Sequence, residues 1–415
     1  MKDKFAWDKY SDQPYPLKDR AFKKQMKRKH VLEIVPLFLY NLIVFPLGFA
    51  YSFFVKGERK QHNHFFGLCV NLDKGEAQIA LAKELKCQNL QLRVPLSDID
   101  NLQDYVDLSA KLNVDKLLIT ILQDQANIQD HRLLVANVRQ VFKAFDGMAS
   151  YYQIGNAINR SKWGFFSTAQ FLSFYQSVQQ LRDKEFPANV LVGPSVIDYE
   201  YHFTVRALFN GFKVKYDKLS SLLYVDRRGA PENRQMVFFD TVKKIDFLYA
   251  LTKLSPKTSS DILITEANWP ISNTAPWAPT SETECVSEEA YANYLLRYYL
   301  LALASKKVEA VYWHQLIAPG YGLIDDREKI RKREAFYVYK FMLEVLTGVD
   351  VESFTCEDYV YTLDCKKDNR RIKIQWLNGS QPMAVSSPMK AFNKVGVAIE
   401  GDVYLSDSPI YFIEP

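Results

Sequence analysis

The sequence predicts an α/β fold: a (β/α)8 TIM barrel with a small C-terminal β domain and an N-terminal membrane-associated segment. Three observations carry that prediction. Short β-rich apolar runs alternate with helical stretches from Phe65 onward, eight times over, which is the pattern of parallel strands joined by crossover helices. After Gly348 the texture changes to alternating strands separated by turn residues. Before the barrel, Val31 to Val55 forms a run of 25 residues with one formal charge, Glu33, long enough to cross a bilayer.

The leader, residues 1–60, comes first in the chain. It holds 13 Lys/Arg against 6 Asp/Glu, leaving 40 against 42 for the rest, so the net charge of +5 belongs to the leader. The body is close to neutral, and a nucleic-acid partner loses its main support. Pro36, Asn41 and Pro46 interrupt the hydrophobic run (31–55), which suits a broken or in-plane helix as well as a span. No small-residue cleavage pattern follows it, so the segment is retained and membrane lipid is an expected partner.

Seven basic residues lie between Lys18 and Lys29, against Lys56, Arg59 and Lys60 on the far flank. That asymmetry places the N-terminus in the cytoplasm. A full crossing then puts the barrel on the periplasmic side of a bacterial inner membrane. An in-plane helix instead keeps the barrel at the cytoplasmic face, with the basic run on anionic headgroups.

The barrel, residues 61–347, offers its strands in order as "FFGLCVNL" (65–72), "NLQLRVPL" (89–96), "DKLLITIL" (115–122) and "SYYQIGNA" (150–157). They continue as "NVLVGPSV" (189–196), "LSSLLYVD" (219–226), "DILITEAN" (261–268) and "VEAVYWHQ" (308–315). Between them, segments such as Ser167 to Arg182 and Ser287 to Ser305 repeat apolar residues at three- and four-residue spacing. A doubly wound open sheet is disfavoured because no G-x-G-x-x-G follows the first strand. The strands "DYVYTLDCKK", "RRIKIQWLNGS" and "DVYLSDSPIYFIEP" make up the C-terminal β domain, residues 348–415.

Five cysteines are scattered without C-x-x-C or Cys/His ligand spacing, so neither a metal site nor a cofactor is called for. Active sites of such barrels lie at the carboxyl ends of the strands. There the sequence places Arg93 (second strand), Asn156 (fourth), Tyr224 and Asp226 (sixth), Glu266 with Trp269 just beyond (seventh), and Trp313 and His314 (eighth). A carboxyl group in such a ring needs a partner, and Arg93 is the natural cation while Tyr224 is a natural donor. The plain alternative is a Glu–Arg pair that merely closes the barrel top. Following the fourth strand, Asn159, Arg160, Lys162 and Trp163 add cations and a ring fit for an anionic sugar, and Arg227 and Arg228 extend that charge.

"YYQIGNAINRSKWG" resembles the fourth-strand G-N-E-P-N signature of clan A glycoside hydrolases, "ILITEANWP" their seventh-strand nucleophile motif, and "VYWHQL" their eighth strand. "YGLIDDREKIRKREAFYVYKFM" and the terminal "LSDSPIYFIEP" are similar to the family 39 branch. The resemblance covers about residues 65 to 415, with 109 residues from Ala157 to Glu266. It implies a glycan or glycoconjugate ligand, with Glu266 as nucleophile and Asn156 holding a sugar hydroxyl. It also implies Arg93 as the second-strand arginine and Trp313 as the floor under a sugar ring.

The departure is Ala157, which stands where the family has its acid/base glutamate. Retaining hydrolysis needs two carboxyl groups, and a methyl group supplies neither proton nor electron pair. Three accounts stand open: an acid supplied by Asp198, Glu200 or Asp226, a barrel that binds glycans without turnover, or an engineered alanine. The expected function is therefore a membrane-associated glycoside hydrolase-like protein acting on a bacterial surface glycan, lipopolysaccharide or exopolysaccharide. The alternative is an inactive glycan-binding or assembly scaffold on the same barrel.

Overall fold

The structure is a computed structural model that describes residues 4–58, 63–226, 229–379 and 381–414. Arg59, Lys60, Arg227 and Arg228 lie outside the described residues. The chain opens with a small antiparallel hairpin, Trp7–Asp8 paired with Gln13–Pro14. Helices α1 (Arg20–Lys29) and α2 (Ile34–Ser52) follow, linked by a 3-10 turn at Val31–Glu33. The three residues that read as interruptions leave α2 continuous: Pro36 falls in its first turn, Pro46 is accommodated within it, and Asn41 returns its amide to the Leu37 carbonyl at 2.8 Å.

Eight parallel strands close into a barrel, each next to its sequence neighbours, with the eighth beside the first. They are β1 (Phe66–Val70), β2 (Asn89–Pro95), β3 (Lys116–Leu122), β4 (Tyr151–Ile154), β5 (Leu191–Ile197), β6 (Lys218–Leu222), β7 (Ile262–Ala267) and β8 (Val308–Trp313). Every sequence-predicted run contains its strand to within one residue. Alternation sets what each strand presents: on β2, Leu90, Leu92 and Val94 pack outward under the helices, while Gln91 turns into the barrel to donate to Thr120 at 2.7 Å. Arg93, two residues on, shares that inward register.

The outer ring is α3 (Ala77–Leu85), α4 (Leu102–Leu112), α5 (His131–Ala144), α6 (Thr168–Glu185), α7 (Tyr201–Leu208), α8 (Thr241–Leu254), α9 (Glu288–Ala304) and α10 (Glu334–Leu346). Asp130, Ser167, Asp240 and Ser287 cap four of them by accepting from first-turn N–H groups.

After the barrel come β9 (Asp350–Glu357), β10 (Val360–Lys367), β11 (Arg370–Leu377), β12 (Met383–Val385), β13 (Lys390–Phe392), β14 (Val403–Leu405) and β15 (Ile410–Ile413). Five of them form one antiparallel sheet in the order β9-β10-β11-β15-β13, and β12 pairs with β14. The sheet is sewn to the barrel by buried Glu232, which accepts from Arg297 of α9 at 2.9 Å and from the Trp376 indole of β11 at 2.8 Å. All five cysteines are free thiols.

The leader is not a separate tail. α2 lies across α7 and the start of α8 through Phe45 on Phe247 (ring centroids 4.7 Å apart), Phe49 on Phe239 (5.4 Å) and a 2.7 Å ion pair from Glu33 to Arg206. Asn41 donates to the His202 carbonyl at 2.9 Å, and a Cβ at Gly48 would meet Phe247 and Leu251 at 2.8 Å, so the helices approach closely there. The opposite face, including Leu32, Phe38, Leu42, Ile43, Leu47 and Phe54, is more than half exposed. α1 rests on the start of α6 through Phe22 against Phe166 and His30 beside Ser167.

Candidate active site

A bulge aims the central carboxylate. β7 and β8 pair Ile264 with Val311 and then Ala267 with Trp313, so β7 carries one residue more than its neighbour over that stretch. Strict alternation from inward-facing Leu263 would send Glu266 outward; the extra residue turns it into the barrel mouth. There the Tyr224 hydroxyl donates to one carboxylate oxygen of Glu266, and the Asn156 amide lies 3.4 Å from the other.

Asn156 is itself clamped. Its N–H donates to Gln123 Oε1 at 2.9 Å, Gln123 Nε2 returns a 2.8 Å bond to the Asn156 carbonyl and a 3.1 Å bond to that of Trp163, and Gln153 donates to Asn156 Oδ1. Gln123, just past β3, is a site residue the sequence reading missed; its only signal was a polar side chain at a strand end. Asn268, which donates to the His314 carbonyl at 2.5 Å, and Tyr321, stacked on the His314 ring with an interplanar angle of 11°, were missed likewise. Burial and the Arg93 charge push the His314 imidazole down to about 3, so it is neutral at the cavity wall.

Arg93 lines the mouth, and its nearest carboxylate is not Glu266. Its Nη1 donates to the side chain and the backbone carbonyl of Asp12, in the leader hairpin. Its guanidinium also sits 5.8 Å from the Trp7 ring and 5.7 Å from the Trp163 ring. Sequence reading assigned Glu266 as the partner because Arg93 is the natural cation in the ring of strand ends. Arg160 pairs with Asp198 at 2.5 Å and Glu200 at 2.7 Å, and Lys162 with Gln13. Both cations read as hands for an anionic sugar are thus held by the protein's own oxygens.

These groups line a cavity of about 200 Å3 shared by Ser11, Asp12, Gln13, Arg93, Asn156, Ala157, Arg160, Lys162, Trp163, Asp198, Tyr224, Glu266, Asn268, His314 and Tyr321. Asp226, with Glu200 and Glu284, lines an adjoining cavity that shares Arg160, Asp198 and Tyr224. Ala157 is buried against Leu122, Trp163, Leu222 and Tyr224 and takes a left-handed backbone, φ 44°.

Three expected site residues stand apart. Asn159 spends its side chain on Ile197 and Glu200 and shapes the loop instead of lining the cavity. Trp313 is fully buried, stacked between Trp269 and Tyr299 and donating to the Tyr291 hydroxyl at 2.6 Å, so it offers no face to a sugar. Trp269 is equally enclosed and donates to the Gly229 carbonyl at 2.9 Å. At the strand end an indole with helices packed behind it becomes barrel wall, and Trp163 is the indole that meets the cavity. Among the described residues no group of three His, Cys, Asp or Glu side chains is arranged to hold a metal ion.

No protein-family model and no curated protein matches the chain. Solved structures do. A family 39 glycoside hydrolase from the gut symbiont Bacteroides cellulosilyticus superposes with a TM-score of 0.66 at 13% identity, covering 86% of this chain and 81% of its own. A family 30 subfamily 8 xylanase from Clostridium acetobutylicum gives 0.60 at 12%, covering 86% and 97%. A family 39 β-xylosidase from Caulobacter crescentus gives 0.57 at 12%, covering 87% and 98%. The chain therefore has the (β/α)8 barrel fold of the family 39 and family 30 clan A glycoside hydrolases.

Proposed function

We propose that the protein is a membrane-docked glycan-acting barrel with Glu266 as the carboxylate that meets the anomeric carbon of a bacterial surface glycan, of the lipopolysaccharide or exopolysaccharide kind. The observation that carries this reading is Glu266, turned inward by the β7 bulge and engaged by Tyr224 and Asn156. Tyr224 steadies one oxygen, which leaves the carboxylate oriented as nucleophile or base. Trp163 and the polar wall of Asn268 and His314 supply the apolar face and hydrogen-bonding edge a sugar ring needs.

A second reading, glycan binding without turnover, is favoured by one specific observation. Ala157 brings no carboxyl group, and the other carboxylates lining the cavity, Asp12 and Asp198, are each engaged by an arginine. The two readings separate on purified protein incubated with envelope glycan, with release of reducing ends as the signal. Turnover that Glu266→Gln abolishes, and that Ala157→Glu raises by about 10²-fold or more, supports the enzyme. Glycan binding without release, unchanged in Glu266→Gln, supports the binder.

Membrane docking belongs to the same proposal. α2 is long and apolar enough to cross a bilayer, yet one side of it is committed to α7 and α8 through Asn41, Glu33, Phe45 and Phe49. That arrangement favours an in-plane helix with its outward face in lipid and the basic α1 on anionic headgroups. α1 and the barrel then share one side of the membrane, which by the positive-inside asymmetry is the cytoplasmic face.

A further inference from the structure

The leader's first residues are built into the candidate site. Asp12 Oδ2 accepts from Asn71 at 2.7 Å, from Gln315 at 2.6 Å and from Arg93, three donors that belong to the ends of β1, β8 and β2. The hairpin tip is shaped for this task. Asp8 accepts from the Tyr10 N–H at 3.0 Å and the Ser11 hydroxyl at 2.7 Å, closing a local turn that leaves Asp12 at φ 50° and Ser11 buried. Trp7 meets Trp163 edge-on at 5.7 Å, and Tyr10 meets Trp277 at the same distance.

The hairpin is also a partition. On one side Ser11, Asp12 and Gln13 face Glu266 and Asn156 across the cavity of about 200 Å3. On the other, Phe5, Trp7 and Pro14 line a larger cavity of about 630 Å3 that runs past Gln123 and Trp163 over the ends of β2 and β3. Lys162 and Trp163 line both cavities, and the hairpin lies between the two cavities.

We infer that residues 7–14 are a fixed wall of the glycan pocket, and that Asp12 is the positioning residue that seats it, taking the Arg93 guanidinium and limiting the site to a single terminal sugar unit. This rests on the glycan reading above. The wall lies only five residues, 15–19, ahead of the basic helix α1, so the sugar is held close to the lipid-facing part of the chain.

The test uses the full chain and two readouts. Tryptic cleavage after Lys9, in the hairpin turn, reports seating; calorimetric binding of 1-deoxynojirimycin, a cationic monosaccharide analogue that pairs with a carboxylate, reports the pocket. The parent is expected to resist cleavage at Lys9 and to bind the probe. Asp12→Ala is expected to be cut there at least tenfold faster and to bind at least tenfold more weakly, with Asp12→Glu restoring part of both. Trp7→Ala, which removes a partly exposed ring, is expected to shift both in the same direction and replaces Asp12→Ala if that variant does not fold. Unchanged cleavage in these variants overturns the seating role, and unchanged or tighter probe binding overturns the wall, tighter binding marking the hairpin as an obstruction. A parent that binds no probe counts against the glycan reading, and Lys9 protection then decides the seating role by itself.

Discussion

Ala157 sits buried at a φ of 44°, a conformation that disfavours any side chain with a Cβ. Ala157→Gly is accordingly expected to raise unfolding stability by about 1 kcal/mol, read from the denaturant midpoint. His314 is a sharper reporter. Unfolded, its imidazole protonates near 6.5; folded, it stays neutral down to about 3. The unfolded chain therefore takes up the extra proton first, and the fold loses about 1.4 kcal/mol per pH unit as pH falls below 6.5. His314→Gln is expected to flatten that loss between pH 6.5 and 5 in urea titrations. Lys244, buried over the Tyr199 ring with its ammonium pKa pushed down to about 8 by burial, costs stability at neutral pH that returns as pH rises from 8 toward 10.5. Lys244→Met is expected to stabilise the protein by about 3 kcal/mol at pH 7.

At the scale of elements, strands and helices were legible because alternation and three-to-four spacing are properties of the residues themselves. The bulge in β7 was not, since "ILITEA" reads the same with or without an added residue in the pairing; what betrays it is the register against β8. Trp313 was misplaced for a related reason: its strand end was legible, but which way the ring turns depends on Tyr291, Trp269 and Tyr299, drawn from α9 and the segment after β7. The hairpin escaped because each of its strands is two residues long, too short for a period to show. α2 makes a prediction of its own. Phe38 and Leu42 lie on its exposed face, so Phe38→Asp with Leu42→Asp is expected to cut binding to anionic lipid vesicles by at least tenfold in a sedimentation assay. The same pair is expected to leave the melting temperature within about 2 °C, because neither side chain is packed in the core.

Across the whole molecule, barrel, sheet and leader are joined by buried polar contacts as well as apolar packing. Glu232, at the heart of the barrel–sheet joint, holds Arg297 and Trp376, and Arg297 also reaches Asn378 at 3.1 Å. Phe341 of α10 meets Tyr411 of β15 at 5.0 Å beside it. Glu232→Ala leaves the buried Arg297 guanidinium with only the distant Asp407 carboxylate, 3.9 Å away, and is expected to cost about 3 kcal/mol, seen in calorimetry as a lower single transition, with no separate melting of the sheet.

The Asp12 contacts have a further consequence in the order of synthesis. Asp12 leaves the ribosome ahead of its partners Asn71, Arg93 and Gln315, which emerge 59, 81 and 303 residues later. The apolar α2 is available to lipid long before the last of them. On the membrane-docked reading proposed above, the nascent chain is tethered at the bilayer while its barrel is still being made, and the hairpin that carries Asp12, translated ahead of the barrel, finds its last partner only after β8.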